Sequence, residues 1–172
     1  MKVIGIAGYS GSGKTTLIER VIPILVRGGL RVSLVKHAHH EFDVDRPGKD
    51  SWRHREAGCT EVLVSSSRRW ALMHELRGTA EPTLSEQLKH LSPCDLVIVE
   101  GYKREPIPKL EVHRRQADAP LLYPDDPQVF AIATDEPLET RLPQLPLDDA
   151  QAVAAFLLRH LGFARAPLAK QG

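Results

Sequence analysis

Short apolar runs alternate with segments of helical period along most of the chain. KVIGIAG (2–8) is a compact apolar run ending in glycine and reads as a buried strand. In the segment that follows, Leu17, Ile18, Val21, Ile22, Ile24 and Leu25 recur at helical spacing, and Gly28-Gly29 can end the helix. Pro23 inside it removes one backbone hydrogen bond and predicts a kink about a turn back. RVSLVKH (31–37) reads as a second strand. A polar stretch (38–49) leads into a short helix over 50–58, capped by Asp50 or Ser51 and stopped by Gly58. TEVLVSS (60–66) and RWALMHEL (69–76), joined by a very short connection, predict an antiparallel hairpin. TLSEQLKHL (83–91) opens with a capping box between Thr83 and Glu86, with Leu84, Leu88 and Leu91 on one face. CDLVIVEG (94–101) is a buried strand ending in an acid. PKLEVHR (108–114) alternates as a strand, and a proline-rich surface loop (118–127) follows. VFAIATD (129–135) is the last predicted core strand, and DDAQAVAAFLLRHLG (148–162) is an amphipathic closing helix.

This alternation predicts an open, mostly parallel α/β sheet with helices on both faces and the antiparallel hairpin as an extension. Residues 1–162 are expected to form a single domain, with 163–172 a flexible tail. Ligands of such sheets bind beyond the carboxyl ends of the strands. Here those ends carry Gly8 onward, His37 onward and Glu100.

Composition narrows the classes. The 172 residues carry a net charge of +1, with 42% hydrophobic and 26% charged residues, ordinary for a globular protein. No global basic field points to nucleic acid, and no apolar run reaches a membrane span. The N-terminal apolar run is short and leads straight into a glycine loop, so no signal peptide is expected. Cys59 and Cys94 stand far apart in no metal-like spacing, which predicts reduced thiols in a cytoplasmic protein.

The chemistry is concentrated in GYSGSGKTT (8–16). Converging backbone N–H groups at a helix start can hold a phosphate chain, and glycines let that backbone approach. Gly8, Gly11 and Gly13 supply the turn. Lys14 supplies the charge for the outer phosphates, and Thr15 a hydroxyl for Mg²⁺. Thr16 is a further donor to an inner phosphate. The loop follows a predicted strand and opens a predicted helix, so the expected fold is a P-loop NTPase-like three-layer α/β/α sandwich binding a nucleoside triphosphate with Mg²⁺. Ser10, Gly11, Ser12, Gly13, Lys14, Thr15 and Thr16 form the expected nucleotide-binding set, with Lys14 in the catalytic role.

A strand-end acid normally completes such a site. Glu100 stands there, after LVIV and before Gly101; Asp95 begins the same strand and belongs at its other end. Asp50 is the second metal candidate, a role compatible with capping the helix it begins. His37, His39 and His40, next to Lys36, can hold a transition metal or form a polar rim of the pocket.

With the glycine loop, KHAHHEFDVDRPGKDSWRHREAG, RWAL and VIVEGYK together, the chain resembles the molybdopterin-guanine dinucleotide biosynthesis adaptor protein B family over most of residues 2–135. That resemblance implies a small, dimeric GTP-binding protein. Such a protein assists the guanylyltransferase that joins GMP to molybdopterin. It also implies that residues 11–16 are the nucleotide loop and that Asp50 and Glu100 lie near the magnesium position. The chain contains no asparagine, so the Asn-Lys-x-Asp guanine motif cannot occur. Asp135, at the end of the last predicted core strand, can cap a loop or accept from a guanine N–H. Guanine preference therefore rests on the resemblance.

No water-orienting glutamine or committed arginine finger is identifiable, although Arg46, Arg53 and Arg55 lie near the right segment, so weak intrinsic hydrolysis is expected. Lys36, Lys49, Arg53, Arg55, Lys103 and Arg104 flank strand ends and can face a pterin phosphate. Two rivals share the loop. One is a small-molecule kinase with a lid from 102–115, and the other a metal-insertion NTPase using the histidines. The hairpin edge suits pairing with a second copy, hence a homodimer.

Overall fold

The computed structural model describes residues 1–38 and 42–163. Two compact units are present: Met1–His37 with Gln87–Gly172, and Ala38–Glu86.

The first unit is built on six parallel strands: β1 (Lys2–Ala7), β2 (Val32–Lys36), β5 (Leu96–Glu100), β6 (Lys109–His113), β7 (Val129–Thr134) and β8 (Gln144–Pro146). Their order is β2-β5-β1-β6-β7-β8. LVIVE of β5 is buried at every position, as expected of a parallel strand covered on both faces. The chain leaves β1 toward β2 on one side and leaves β6 toward β7 on the other. The crevice between β1 and β6 is thus a topological switch point, where such sheets bind ligands.

Helices α1 (Lys14–Arg27) and α4 (Ala150–His160) pack on one face. Leu17, Ile18, Val21, Ile24 and Leu25 of α1 and Val153, Ala154, Leu157 and Leu158 of α4 bury against Ile4, Ile6, Ile98, Leu110 and Val112. Pro23 lies within α1. Asp149 caps α4 by accepting from the Ala152 N–H at 2.9 Å.

Three expectations are corrected here. The strand β6 does not alternate: Lys109 and Glu111 are as buried as Leu110 and Val112. Loops meet both charges. Lys109 Nζ donates to Asp126 at 2.8 Å and to the Glu105 carbonyl at 2.5 Å. Glu111 accepts from the N–H groups of Leu122 at 2.6 Å and Tyr123 at 3.0 Å. Burial raises the Glu111 carboxyl above its ordinary range, against those two donors. Second, the sheet does not end at the last core strand β7: β8, which the pattern did not predict, adds a short, largely exposed edge containing Pro146, where proline is tolerated. Third, neither Asp50 nor Ser51 caps its helix.

That helix, α2 (Asp50–Glu56), belongs to the second unit, with Lys49 at its N-cap and no side-chain cap bond. Asp50 is its first helical residue, and Ser51 Oγ donates instead to Asp45 at 2.9 Å. The hairpin of β3 (Glu61–Ser65) and β4 (Trp70–His74) forms as expected but makes its own sheet, pairing Leu63 with Leu72 and Ser65 with Trp70. The capping box also forms, at the start of α3 (Leu84–Leu88): the Thr83 N–H donates to Glu86 at 2.8 Å, and Thr83 Oγ1 accepts from the Glu86 N–H at 3.3 Å.

Arg55 organises the second unit. Its guanidinium reaches Glu75 at 2.6 Å, Asp43 at 2.7 Å and Asp45 at 3.3 Å. The Arg55 bond, with the Asp45 N–H, holds the Asp43 carboxyl below its ordinary range. Burial opposes the charge on Asp45, but the Arg46 N–H, Ser51 and Arg55 outweigh it, so that carboxyl is lowered too. Groups with depressed folded pKa values stabilise above their unfolded pKa, about 3.9 for Asp, and lose that contribution as pH falls through the folded value. Both tryptophans, Trp52 and Trp70, lie in this unit and report on it. Acid titration of tryptophan fluorescence is therefore expected to show a transition below about pH 4. Arg55→Met should move that transition to higher pH; an unmoved midpoint would remove the role assigned to Arg55.

Candidate functional site

The site grows from the carboxyl end of β1. Gly8 has φ +148°, and a Cβ there would lie 2.3 Å from the Val112 carbonyl oxygen and 2.8 Å from Ser12 Oγ. Only glycine fits the loop this close to β6. Ser12 is buried beneath the turn, and its Oγ has no hydrogen-bond partner among the described residues. Gly13 then takes a left-handed conformation (φ +93°) as the N-cap of α1 and brings no side chain to close the first turn. That turn carries no acid; it begins Lys14, Thr15, Thr16. Helix-start N–H groups without internal partners, with a cation beside them, form an anion cradle. Ser10, Gly11, Thr15 and Thr16 are exposed around it.

Lys14 arches over the loop and donates to the Tyr9 carbonyl at 2.7 Å. Burial lowers its ammonium below the ordinary lysine range. Glu100 pulls the other way, and the nearby Lys103 and Lys36 push it further down.

Glu100 ends β5, 5% exposed, opposite Ile6 of β1 and Lys36 of β2 in the register. The hydroxyl of Thr15 donates to its Oε1 at 2.8 Å, and Lys36 Nζ stands 3.5 Å from its Oε2. Gly101 lets the chain turn beside this carboxylate, since a Cβ there would lie 3.0 Å from the His37 carbonyl. Asp95 is at the opposite end of β5, as expected, and accepts from the Arg31 N–H at 2.7 Å. The structure thus brings Thr15 and Glu100 together. A hydroxyl and a carboxylate are hard oxygen donors of the kind Mg²⁺ takes, so this pair fits that ion. Asp50 lies in the second unit with an exposed side chain, 3.9 Å from Arg53 Nη1.

His37 keeps its ring 5.0 Å from that of Tyr102, while His39 and His40 lie outside the described residues. Among the described residues, no group of three or more His, Cys, Asp or Glu side chains is placed to hold a metal ion. Arg55, a candidate finger, is committed to its carboxylates. Asp135 accepts from the Arg115 N–H at 3.0 Å, at the start of a 3-10 turn (Arg115–Ala117).

Two basic residues stand beside the loop: Lys103, one of the strand-end cations expected to face an anion, and Arg114, which was not among them. Lys103 sits over the Tyr9 ring at 4.0 Å. The Arg114 guanidinium lies 3.6 Å from where a Gly13 Cβ would be, and it reaches Asp148 at 3.5 Å and Asp135 at 3.9 Å. The available signal was position: Arg114 directly follows β6, the strand beside β1.

Residues 3–135 match the model of the MobB family, molybdopterin guanine dinucleotide synthesis protein B. The chain belongs to this family. The molybdopterin-guanine dinucleotide biosynthesis adapter protein of Haemophilus influenzae is 44% identical over 166 residues, covering 95% of this chain and 93% of that one. Its counterpart from Escherichia coli is 40% identical, covering 91% of each chain. Among solved structures, the MobB protein homolog from Bacillus stearothermophilus superposes with a TM-score of 0.73 at 28% identity, covering 95% of this chain and 100% of its own. The chain is therefore a MobB-type adapter of molybdopterin guanine dinucleotide biosynthesis. The family model spans both the glycine loop and Glu100. No helix among the described residues of this MobB chain is long and apolar enough to cross a membrane.

Proposed function

We propose that this adapter binds GTP with Mg²⁺ in the loop at residues 8–16 and assists the guanylyltransferase that attaches GMP to molybdopterin. The observation that carries the reading is the 2.8 Å meeting of Thr15 Oγ1 and the buried Glu100 carboxylate beside the left-handed start of α1. Residues 10–16 hold the phosphates, with Lys14 on the outer ones, and Thr15 and Glu100 hold the ion. Mg²⁺ supplies charge neutralisation across the outer phosphates.

Hydrolysis by the isolated protein is expected to be slow. Water must attack the terminal phosphorus while its bond to the bridging oxygen breaks and GDP departs. Missing an arginine finger costs about 10³–10⁵ in rate. Arg55 is held by its own unit. A partner's cation could supply the difference. Leu63, Trp70 and Leu72, exposed on one face of the hairpin, support a homodimer, which light scattering at high concentration would test.

Calorimetry with GTP and ATP tests the site. Wild-type protein should bind GTP more tightly with Mg²⁺ than with a chelator, and more tightly than ATP. Glu100→Ala should abolish the magnesium dependence. Equal affinity for the two nucleotides would remove guanine preference, and an unchanged magnesium dependence in Glu100→Ala would remove Glu100 from the ion site.

A further inference from the structure

Glu100 is a carboxylate at 5% exposure, and a buried charge is costly without partners. Thr15 occupies Oε1, and Lys36 is the cation at Oε2. The hold of Lys36 is loose: one contact at 3.5 Å, from a side chain still 54% exposed on a flexible stem. Register fixes its place. Lys36 lies directly opposite Glu100 at the carboxyl ends of β2 and β5, the end from which the glycine loop leaves β1. The other two nearby ammonium groups have other partners, Lys14 on the Tyr9 carbonyl and Lys103 on the Tyr9 ring.

We propose that Lys36 is an exchangeable cation of the nucleotide site. It neutralises Glu100 when no divalent ion is there, and it turns to the terminal phosphate of a bound nucleoside triphosphate once such an ion engages Glu100. This rests on the nucleotide reading above. Two cations cannot share one buried carboxylate oxygen without repulsion, so the more mobile one moves. A triphosphate offers the released ammonium an extra anionic group that a diphosphate lacks. Lys36 therefore favours triphosphate over diphosphate and supplies in cis part of the charge compensation that Arg55 does not.

The test compares affinities for GDP and a non-hydrolysable GTP analogue, both with Mg²⁺, by calorimetry. Lys36→Met should lower the triphosphate-to-diphosphate affinity ratio about tenfold. Lys36→Arg should retain most of the ratio. Lys103→Met, the same charge change at the Tyr9 ring, should leave it within about twofold. If Lys36→Met does not fold, Lys36→Gln is read in the same way. Nucleotide binding with an unchanged ratio in the Lys36 variant, or an equal fall in Lys103→Met, would overturn the proposal alone. Failure of the wild type to bind either nucleotide would overturn the nucleotide reading and the proposal with it.

Discussion

Replacing Lys14 by alanine is expected to lower GTP affinity by two to three orders of magnitude while leaving the melting temperature nearly unchanged. Truncating one partner of a desolvated charge pair costs about 2–5 kcal/mol in binding. In the free protein, by contrast, Lys14 contributes little to folding. Its ammonium is partly desolvated, its own burial opposes its charge, and its one hydrogen bond is to the backbone carbonyl of the half-buried loop residue Tyr9. Lysine deletion removes a cation that the fold scarcely uses and that a polyphosphate needs. Calorimetry and thermal denaturation on the same preparation separate the two effects. Undiminished affinity would place the nucleotide elsewhere.

Gly8→Ala is expected to behave in the opposite manner, damaging the fold as well as the site. The added carbon would meet the Val112 carbonyl oxygen at 2.3 Å, backbone against backbone, at a φ of +148° that side chains rarely adopt. Neither partner can move cheaply, because β6 is held between β1 and β7. Overpacking and backbone strain of this kind cost about 3 kcal/mol or more together. Chemical denaturation should show that loss, and nucleotide binding should disappear even where the variant remains folded. Gly11→Ala is the control, since a Cβ there meets nothing within 4 Å. Its φ of +79° still strains it, so a smaller loss of stability is expected. Equal stability of Gly8→Ala and wild type would mean that the loop does not pack against β6 as described.

The parts of this architecture that could be read from sequence are those set by local rules. β1, β5 and β7 are continuous apolar runs between turn signals, and α1 and α4 repeat their apolar residues at helical period. β8 escaped because three residues, QLP, carry no periodicity and include proline. β6 looked half-exposed because Lys109 and Glu111 interrupt its apolar residues, and periodicity does not show that the flanking loops, at Glu105 and at Leu122, Tyr123 and Asp126, fold back to meet them. The α2 cap was misplaced because Asp45 takes the Ser51 hydroxyl. The site divides in the same way. The glycine loop is a local motif, and Glu100 was visible as an acid ending a buried strand. Lys36 and Arg114 become neighbours of the loop only through strand order, which puts β5 between β2 and β1 and β6 on the other side of β1. Strand order leaves no trace in periodicity. Arg55 shows the converse: its sequence position suggested a role in phosphate chemistry, and its three carboxylate partners make it a structural residue.

The central claim is that backbone amides at the start of α1 converge on a polyphosphate. It is tested most directly by following backbone amide resonances while GTP and Mg²⁺ are titrated into the wild-type protein. The account predicts that the largest shifts fall on Gly11, Gly13, Lys14, Thr15 and Thr16, at the same nucleotide concentration that saturates binding by calorimetry. Saturable binding that leaves those amides unmoved, with the shifts gathered elsewhere on the molecule, would contradict it.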